Sequence, residues 1–199
     1  QKTNAALDVH LYTQNFFDYF KTNFNRSSID NWGRKLQSYV NLYGNFVNDP
    51  NLPDFLKQYF VNENGAVNAY WDGKKMVYYF GNSTTFDPVC SQDVVAHELG
   101  HGLCQNTANL IYINEQGALN EALSDIWGAN VENAFFGNTK STWNIAEEVD
   151  LVNKAGFRSM KNPKMFMQPN TYKGENFQRS IFFDGGGVHI NSGVINYWY

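Results

Sequence analysis

The chain has 199 residues, 43% of them hydrophobic and 17% charged, which is enough for a core and too few charges for a solvated, disordered chain. Fifteen Lys and Arg against nineteen Asp and Glu give a net charge of -4, so no basic surface exists to hold a nucleic-acid backbone. No apolar run reaches the ~18 residues of a membrane span, the opening QKTNAALDVH lacks a signal peptide's apolar core, and two cysteines are too few for a disulfide scaffold.

In chain order, Ala5 to Asn25 carries Val9, Tyr12, Phe16, Tyr19 or Phe20, and Phe24 at helical spacing, and reads as a helix with an aromatic packing face. Ser38 to Val47 reads as a strand. Asn48 to Asn64 is turn-rich around a short candidate helix, Asp54 to Phe60. The runs AVNAYW and KKMVYYF flank Asp72-Gly73, the pair preferred in a tight hairpin turn. Ser91 can cap a helix from Gln92 to about Asn106. A second helix is expected from Glu115 to about Phe136, with Leu119, Leu123, Ile126 and Ala129 or Asn130 as its apolar stripe. Periodicity is lost from Gly137 to Arg179. Asp184-Gly185-Gly186-Gly187 reads as a loop of close approach, followed by a helix or turn at the chain end.

The chemistry concentrates in VVAHELGHGLC. On a helix, His97 and His101 of the H-E-x-x-H pattern share one face, one turn apart, so both imidazoles can reach one zinc. Glu98 beside them would be the base for a water on the metal. A catalytic zinc needs a third protein ligand and an open position. In NEQGALNEALSDIWG, Glu121 and Asp125 lie four apart on one face. Glu121 could ligate, and Asp125 could accept from the back nitrogen of a ligand histidine. The plain alternative for these two acids is a solvated helix face.

NAYW, DVVAHELGH, ANLIYINEQGALNEALSDIWG, FRSM and DGGGVHINSG occur in the order found in the thermolysin-like neutral metalloproteases, which the chain resembles from about Ala5 to its end. The resemblance implies an α+β fold. An N-terminal lobe (1–106) with a mixed, largely antiparallel sheet ends in the long zinc helix, and a helical C-terminal lobe follows (107–199). By the same resemblance the zinc ligands are His97, His101 and Glu121, the catalytic glutamate is Glu98, and Asp125 orients the first histidine. Tyr112 and His189 become the oxyanion stabilisers and Asp184 the acid that orients His189. Asn68, Ala69 and Arg158 become binders of substrate backbone. Val89, Val94 and Phe157 become apolar walls of the pocket after the cleaved bond.

A calcium site is implied at Asp93, Glu132, Glu147 and Glu148. It is expected to be weaker or smaller than usual, because Thr142 and Asn144 stand where acids are common. The chain stops ten residues past His189, so the C-terminal lobe is expected to be truncated, and an N-terminal hairpin is expected to be missing. The implied function is a secreted zinc endopeptidase cleaving peptides or proteins before apolar residues. A propeptide or missing C-terminal segment is a further implied partner. The alternative is a catalytically impaired zinc-binding fragment that binds peptides or a partner chain. Cys90 and Cys104 are expected not to pair with each other. Positions 92 and 104 of one helix lie roughly 18 Å apart along its axis, against the ~7 Å that a disulfide tolerates.

Overall fold

The computed structural model describes residues 4–42, 67–138 and 142–199. Helix α1 spans Ala5–Phe24. Asn4 caps it, accepting from the Leu7 N–H at 3.4 Å. Asn25 ends it in the left-handed region (φ 51°, ψ 30°), which Asn tolerates better than most residues. Ala5, Val9, Phe16 and Phe20 are its buried face. Phe24, expected on that face, is half exposed: in the last turn its ring packs against Tyr19, Phe20 and Trp127 and turns its remaining side to solvent.

Strand β1 spans Ser38–Leu42. The rest of the strand expected to Val47, and the helix expected over Asp54 to Phe60, lie outside the described residues. Strands β2 (Ala69–Trp71) and β3 (Met76–Tyr79) complete a three-stranded sheet in the order β1-β3-β2. β1 runs parallel to β3 and β2 antiparallel to it, so the sheet is mixed. The hairpin is present, but its turn is longer than expected: Trp71 pairs with Met76, leaving Asp72 to Lys75 as the loop. Of Asp72 and Gly73, only Gly73 takes a positive φ, and the two-residue turn needs both. Asp72 closes the longer loop instead, its carboxylate accepting from the N–H groups of Lys74 and Lys75 at 2.8 Å each. Central β3 is wholly buried and, among the described residues, β2 forms an edge.

Helix α2 spans Gln92–Gln105 and is buried on nearly every side. Ser91 precedes it without capping it, since its hydroxyl donates to Asp93 at 2.5 Å. Helix α3 spans Asn114–Phe136. Its buried face is not the expected leucine stripe: Leu119 is 38% exposed, while Gly117, Ala118, Glu121, Ala122, Asp125, Gly128, Ala129 and Glu132 are buried along with Ile126. The reason is proximity to α2. A Cβ on Gly100 would sit 3.0 Å from the Ser124 Cα, and one on Gly128 would sit 2.7 Å from the Asp93 carbonyl oxygen. At that separation only small residues fit between the helices, and the leucines are turned aside.

Strands β4 (Asn144–Ile145) and β5 (Arg158–Ser159) pair antiparallel around a loop organised by Asp150. This carboxylate, 4% exposed, accepts from the backbone N–H groups of Val152, Asn153, Ala155 and Gly156 at 3.0–3.3 Å. Those bonds, the one from Asn153 foremost, hold its pKa below the usual carboxylate range. Asp150→Ala is therefore expected to lower stability by about 1–2 kcal/mol. The folded-state pKa is depressed, so this contribution is present above the unfolded value of about 3.9 and vanishes as pH falls through the folded value. Urea unfolding of both proteins at pH 7 and pH 3 should show the gap narrowing at pH 3.

A 3₁₀ turn, Pro163–Phe166, leads towards α4 (Asp184–Asn191) and α5 (Gly193–Trp198). Asp184 to Gly187 all have positive φ, so regular helix begins only at Val188, as the loop expected there requires. A Cβ on Gly186 would lie 2.1 Å from the Asn114 side-chain oxygen, so the run presses α4 against the start of α3. Cys90 and Cys104 are free, buried thiols, and burial pushes the Cys90 pKa up to about 12. Among the described residues no helix is long and apolar enough to cross a membrane.

Candidate active site

The packed pair α2 and α3 brings His97, His101 and Glu121 together, with one potential ligand atom from each lying within 4.8 Å of the others. The surrounding bonds decide which nitrogens face inward. His97 Nδ1 lies 2.8 Å from Asp125 Oδ1, and His101 Nδ1 lies 2.7 Å from Asn120 Oδ1. Oxygen acceptors at both Nδ1 atoms fix the proton there and leave both Nε2 atoms with lone pairs. Those Nε2 atoms face each other at 3.0 Å. Two facing lone pairs, beside a wholly buried carboxylate whose Oε2 has no hydrogen-bond partner, call for a shared positive charge. Burial opposes a proton on His101, yet the Glu121 carboxylate outweighs it and raises the pKa to about 9. This donor set of two imidazoles and one carboxylate fits zinc.

Asp125 is 0% exposed and fully engaged. Oδ1 receives Arg158 Nη2 at 2.7 Å besides the His97 contact, and Oδ2 receives Arg158 Nε and Asn196 Nδ2 at 2.8 Å each. Arg158 was expected to present its fork to substrate. It lines the cleft, but two of its nitrogens are turned onto Asp125, the nearest buried anion. The alternative of a solvated acidic face for Glu121 and Asp125 fails, since neither is exposed.

Glu98 lies on the cleft wall, 5% exposed, with no hydrogen-bond partner for its Oε2. Burial raises its pKa, and His97 and His101 oppose the rise. Tyr112 donates to Glu121 Oε1 and lies 3.0 Å from His189 Nε2. Asp184 holds the other side of that ring, 2.5 Å from His189 Nδ1. Tyr112, Glu98 and His189 thus converge on one cleft of about 570 Å³. Edge strand β2 with Asn68 and Ala69 lines one side, and Val89, Val94 and Phe157 line the apolar part.

Three residues of this site escape a reading of the sequence. Asn120 and Ser124 both reach His101 Nδ1, and Asn196 reaches Asp125 from α5. Asn120 adjoins Glu121, but nothing in the spacing marks Asn196.

A second acidic group, Asp93, Glu132 and Glu147, is buried on the far ends of α2 and α3 from the histidines, again with one oxygen each within 4.8 Å. Burial first, then Asp93 and Glu147, push the Glu132 pKa up to about 9. Glu148, expected beside these three, is exposed and does not join the group, though its charge adds to the rise at Glu132.

Fold and centre together define a metallopeptidase type of protein: a mixed sheet and a helix pair hold two histidines and a carboxylate at an open cleft. The chain belongs to the thermolysin metallopeptidase family. Its catalytic-domain profile matches residues 1–105 and its alpha-helical-domain profile residues 108–199. Bacillolysin of Bacillus cereus is 41% identical over 195 residues, covering 96% of this chain and 30% of that protein. Neutral protease NprE of Bacillus pumilus is 39% identical over 194 residues, covering 96% and 55%. The precursor of protealysin, a metalloproteinase from Serratia proteamaculans, superposes with a TM-score of 0.76 at 30% identity, covering 98% of this chain and 59% of that one. The chain therefore spans between about a third and three-fifths of these relatives.

Proposed function

We propose that the chain carries the catalytic centre of a secreted zinc endopeptidase that cleaves proteins or peptides before apolar residues. Residues 1–106 and 107–199 act as two lobes meeting at the metal. The observation that carries the reading is Glu98: a buried carboxylate on the cleft wall beside the zinc-type donor set, whose Oε2 has no hydrogen-bond partner among the described residues. Zinc held by His97, His101 and Glu121 would polarise the scissile carbonyl and lower the pKa of the attacking water.

Glu98 takes the proton of the attacking water on its carboxylate and hands it to the leaving nitrogen. Tyr112 Oη and His189 Nε2 donate to the developing oxyanion, and Asp184 keeps the His189 ring turned so that Nε2 faces the cleft. Strand β2 offers the backbone at Ala69, with the Asn68 side-chain amide beside it, to an extended substrate. Arg158, anchored on Asp125, presents its remaining N–H groups to a substrate carbonyl.

Val89, Val94 and Phe157 offer a charged side chain no partner, so burying one there carries a desolvation cost. Cleavage-site profiling of the zinc-loaded chain on a peptide library should show Leu, Ile, Val or Phe after the cut bond. Dominance of Asp, Glu or Lys there would overturn the substrate reading. Zinc bound at one per chain with no cleavage of any peptide would favour the impaired, peptide-binding alternative, whose footing is the part-length match to the relatives.

The Asp93, Glu132 and Glu147 group is proposed as a single calcium site. Three carboxylates serve one calcium, and a second ion would need more acids. With calcium at a hundredfold its Kd, removal should cost about 2.7 kcal/mol of stability. Calcium-selective chelation with zinc left in place should lower the melting temperature by several degrees. An unchanged melting temperature would count against the site.

A further inference from the structure

We infer that Asn196, on the last helix of the described chain, is a positioning residue that sets the Asp125–His97 pair and through it the affinity of the metal centre. The inference rests on the metal-centre reading above. Asn196 is 2% exposed, and its Nδ2 donates to Asp125 Oδ2 at 2.8 Å across 71 residues of sequence. The chemistry settles the amide's orientation: the opposite one would press its oxygen against a carboxylate.

An ionised carboxylate offers about four acceptor sites. Three are taken by hydrogen bonds, from Arg158 Nη2 on Oδ1 and from Arg158 Nε and Asn196 Nδ2 on Oδ2, and the remaining place on Oδ1 faces His97 Nδ1 in an ion-pair contact of 2.8 Å. Arg158 alone fixes the carboxylate from one side. Asn196 closes the fourth site from the other and balances the pull of the guanidinium. Without it, Oδ2 is left short of a donor in a dry interior. The carboxylate then turns towards Arg158, and Oδ1 leaves the line of His97 Nδ1. That bond fixes which nitrogen of His97 faces the metal, so the loss is read at the metal.

Helix α5 is built to deliver this amide. A Cβ on Gly193 would lie 2.7 Å from both the Pro169 carbonyl oxygen and the Gln168 Cβ, so the helix start packs closely there, and Tyr199 exchanges hydrogen bonds with Asn130 at 2.8 and 3.1 Å. These contacts dock the helix without touching Asp125, which separates general docking from positioning.

The test compares zinc affinity, by chelator competition, with melting of the zinc-free protein for wild type, Asn196→Leu, Asn196→Ser and Tyr199→Phe. Loss of an outer-shell partner typically weakens metal binding 10–100-fold, and with Arg158 still in place Asn196→Leu and Asn196→Ser should each raise the zinc Kd about tenfold. Tyr199→Phe should lower the zinc-free melting temperature and leave the zinc Kd within about twofold. Asn196→Ser covers the case in which leucine prevents folding. An unchanged Kd in the foldable Asn196 variants would overturn the inference, as would a rise in Tyr199→Phe equal to theirs. Failure of the wild type to bind zinc at one per chain would overturn the metal-centre reading itself, and this inference with it.

Discussion

Glu98→Gln is expected to abolish measurable peptide hydrolysis while zinc still binds at one per chain. The amide keeps the shape and the hydrogen-bonding reach of the carboxylate, so neither α2 nor the ligand geometry is disturbed. It cannot hold a proton at neutral pH, and proton transfer by a placed side chain is typically worth 10²–10⁴-fold in rate. The buried position of Glu98 makes the upper part of that range the expected loss, since among the described residues the cleft wall holds no second carboxylate outside the proposed ligand set. The measurement is single-turnover cleavage of a peptide with an apolar residue after the scissile bond, alongside metal analysis of the same sample. A rate near that of the wild type would remove Glu98 from the proposed mechanism.

Asp125→Ala should produce the largest loss of stability, and a loss of metal affinity with it. Arg158 is only 14% exposed, and its pairing with Asp125 is its one charge-balancing contact among the described residues. Removing one member of a buried ion pair leaves the other charge uncompensated, at a cost of about 3–5 kcal/mol. The same substitution frees His97 Nδ1, and loss of such an orienting carboxylate weakens metal binding about 10–100-fold. Denaturant unfolding without zinc isolates the first effect, and chelator competition measures the second. If stability fell by less than about 1 kcal/mol, Arg158 would have to find another partner or reach water, and the network described for Asp125 would be wrong.

What the sequence made legible was what depends on helical spacing. His97, His101 and Glu98 lie within one turn and a half of α2, and Glu121 and Asp125 within one turn of α3, so period alone put each set on a face. Their meeting needs the two helices to pack, and the resemblance supplied that step. Contacts made across the fold were not legible. Asn196 reaches Asp125 from the far end of the chain, and no local pattern distinguishes it from a surface asparagine. The pairing of Arg158 with Asp125 was not legible either, because the two are distant in sequence. The apolar stripe of α3 holds at Ile126 and Ala129 but not at Leu119, for a related reason. Hydrophobic periodicity assumes that large side chains face the core, whereas here glycine, alanine and the acids do, because the neighbouring helix is too close for leucine.

That closeness bears on how a saturation scan of this protein would look. Positions that reject substitution are usually taken as a map of chemistry. Along α2 and α3 such a map would have two superimposed layers. At His97, Glu98, His101 and Glu121 almost any change would silence the protein while leaving it folded. At Gly128 one added methyl group would lie 2.7 Å from the Asp93 carbonyl oxygen, and the loss would come from a chain that no longer assembles, whereas at Gly100 the 3.0 Å approach to Ser124 asks the helices to give only by a few tenths of an ångström. An abundance readout run beside an activity readout would separate the layers: variants of Gly128 would vanish from both, those of the proposed metal ligands and base from activity alone.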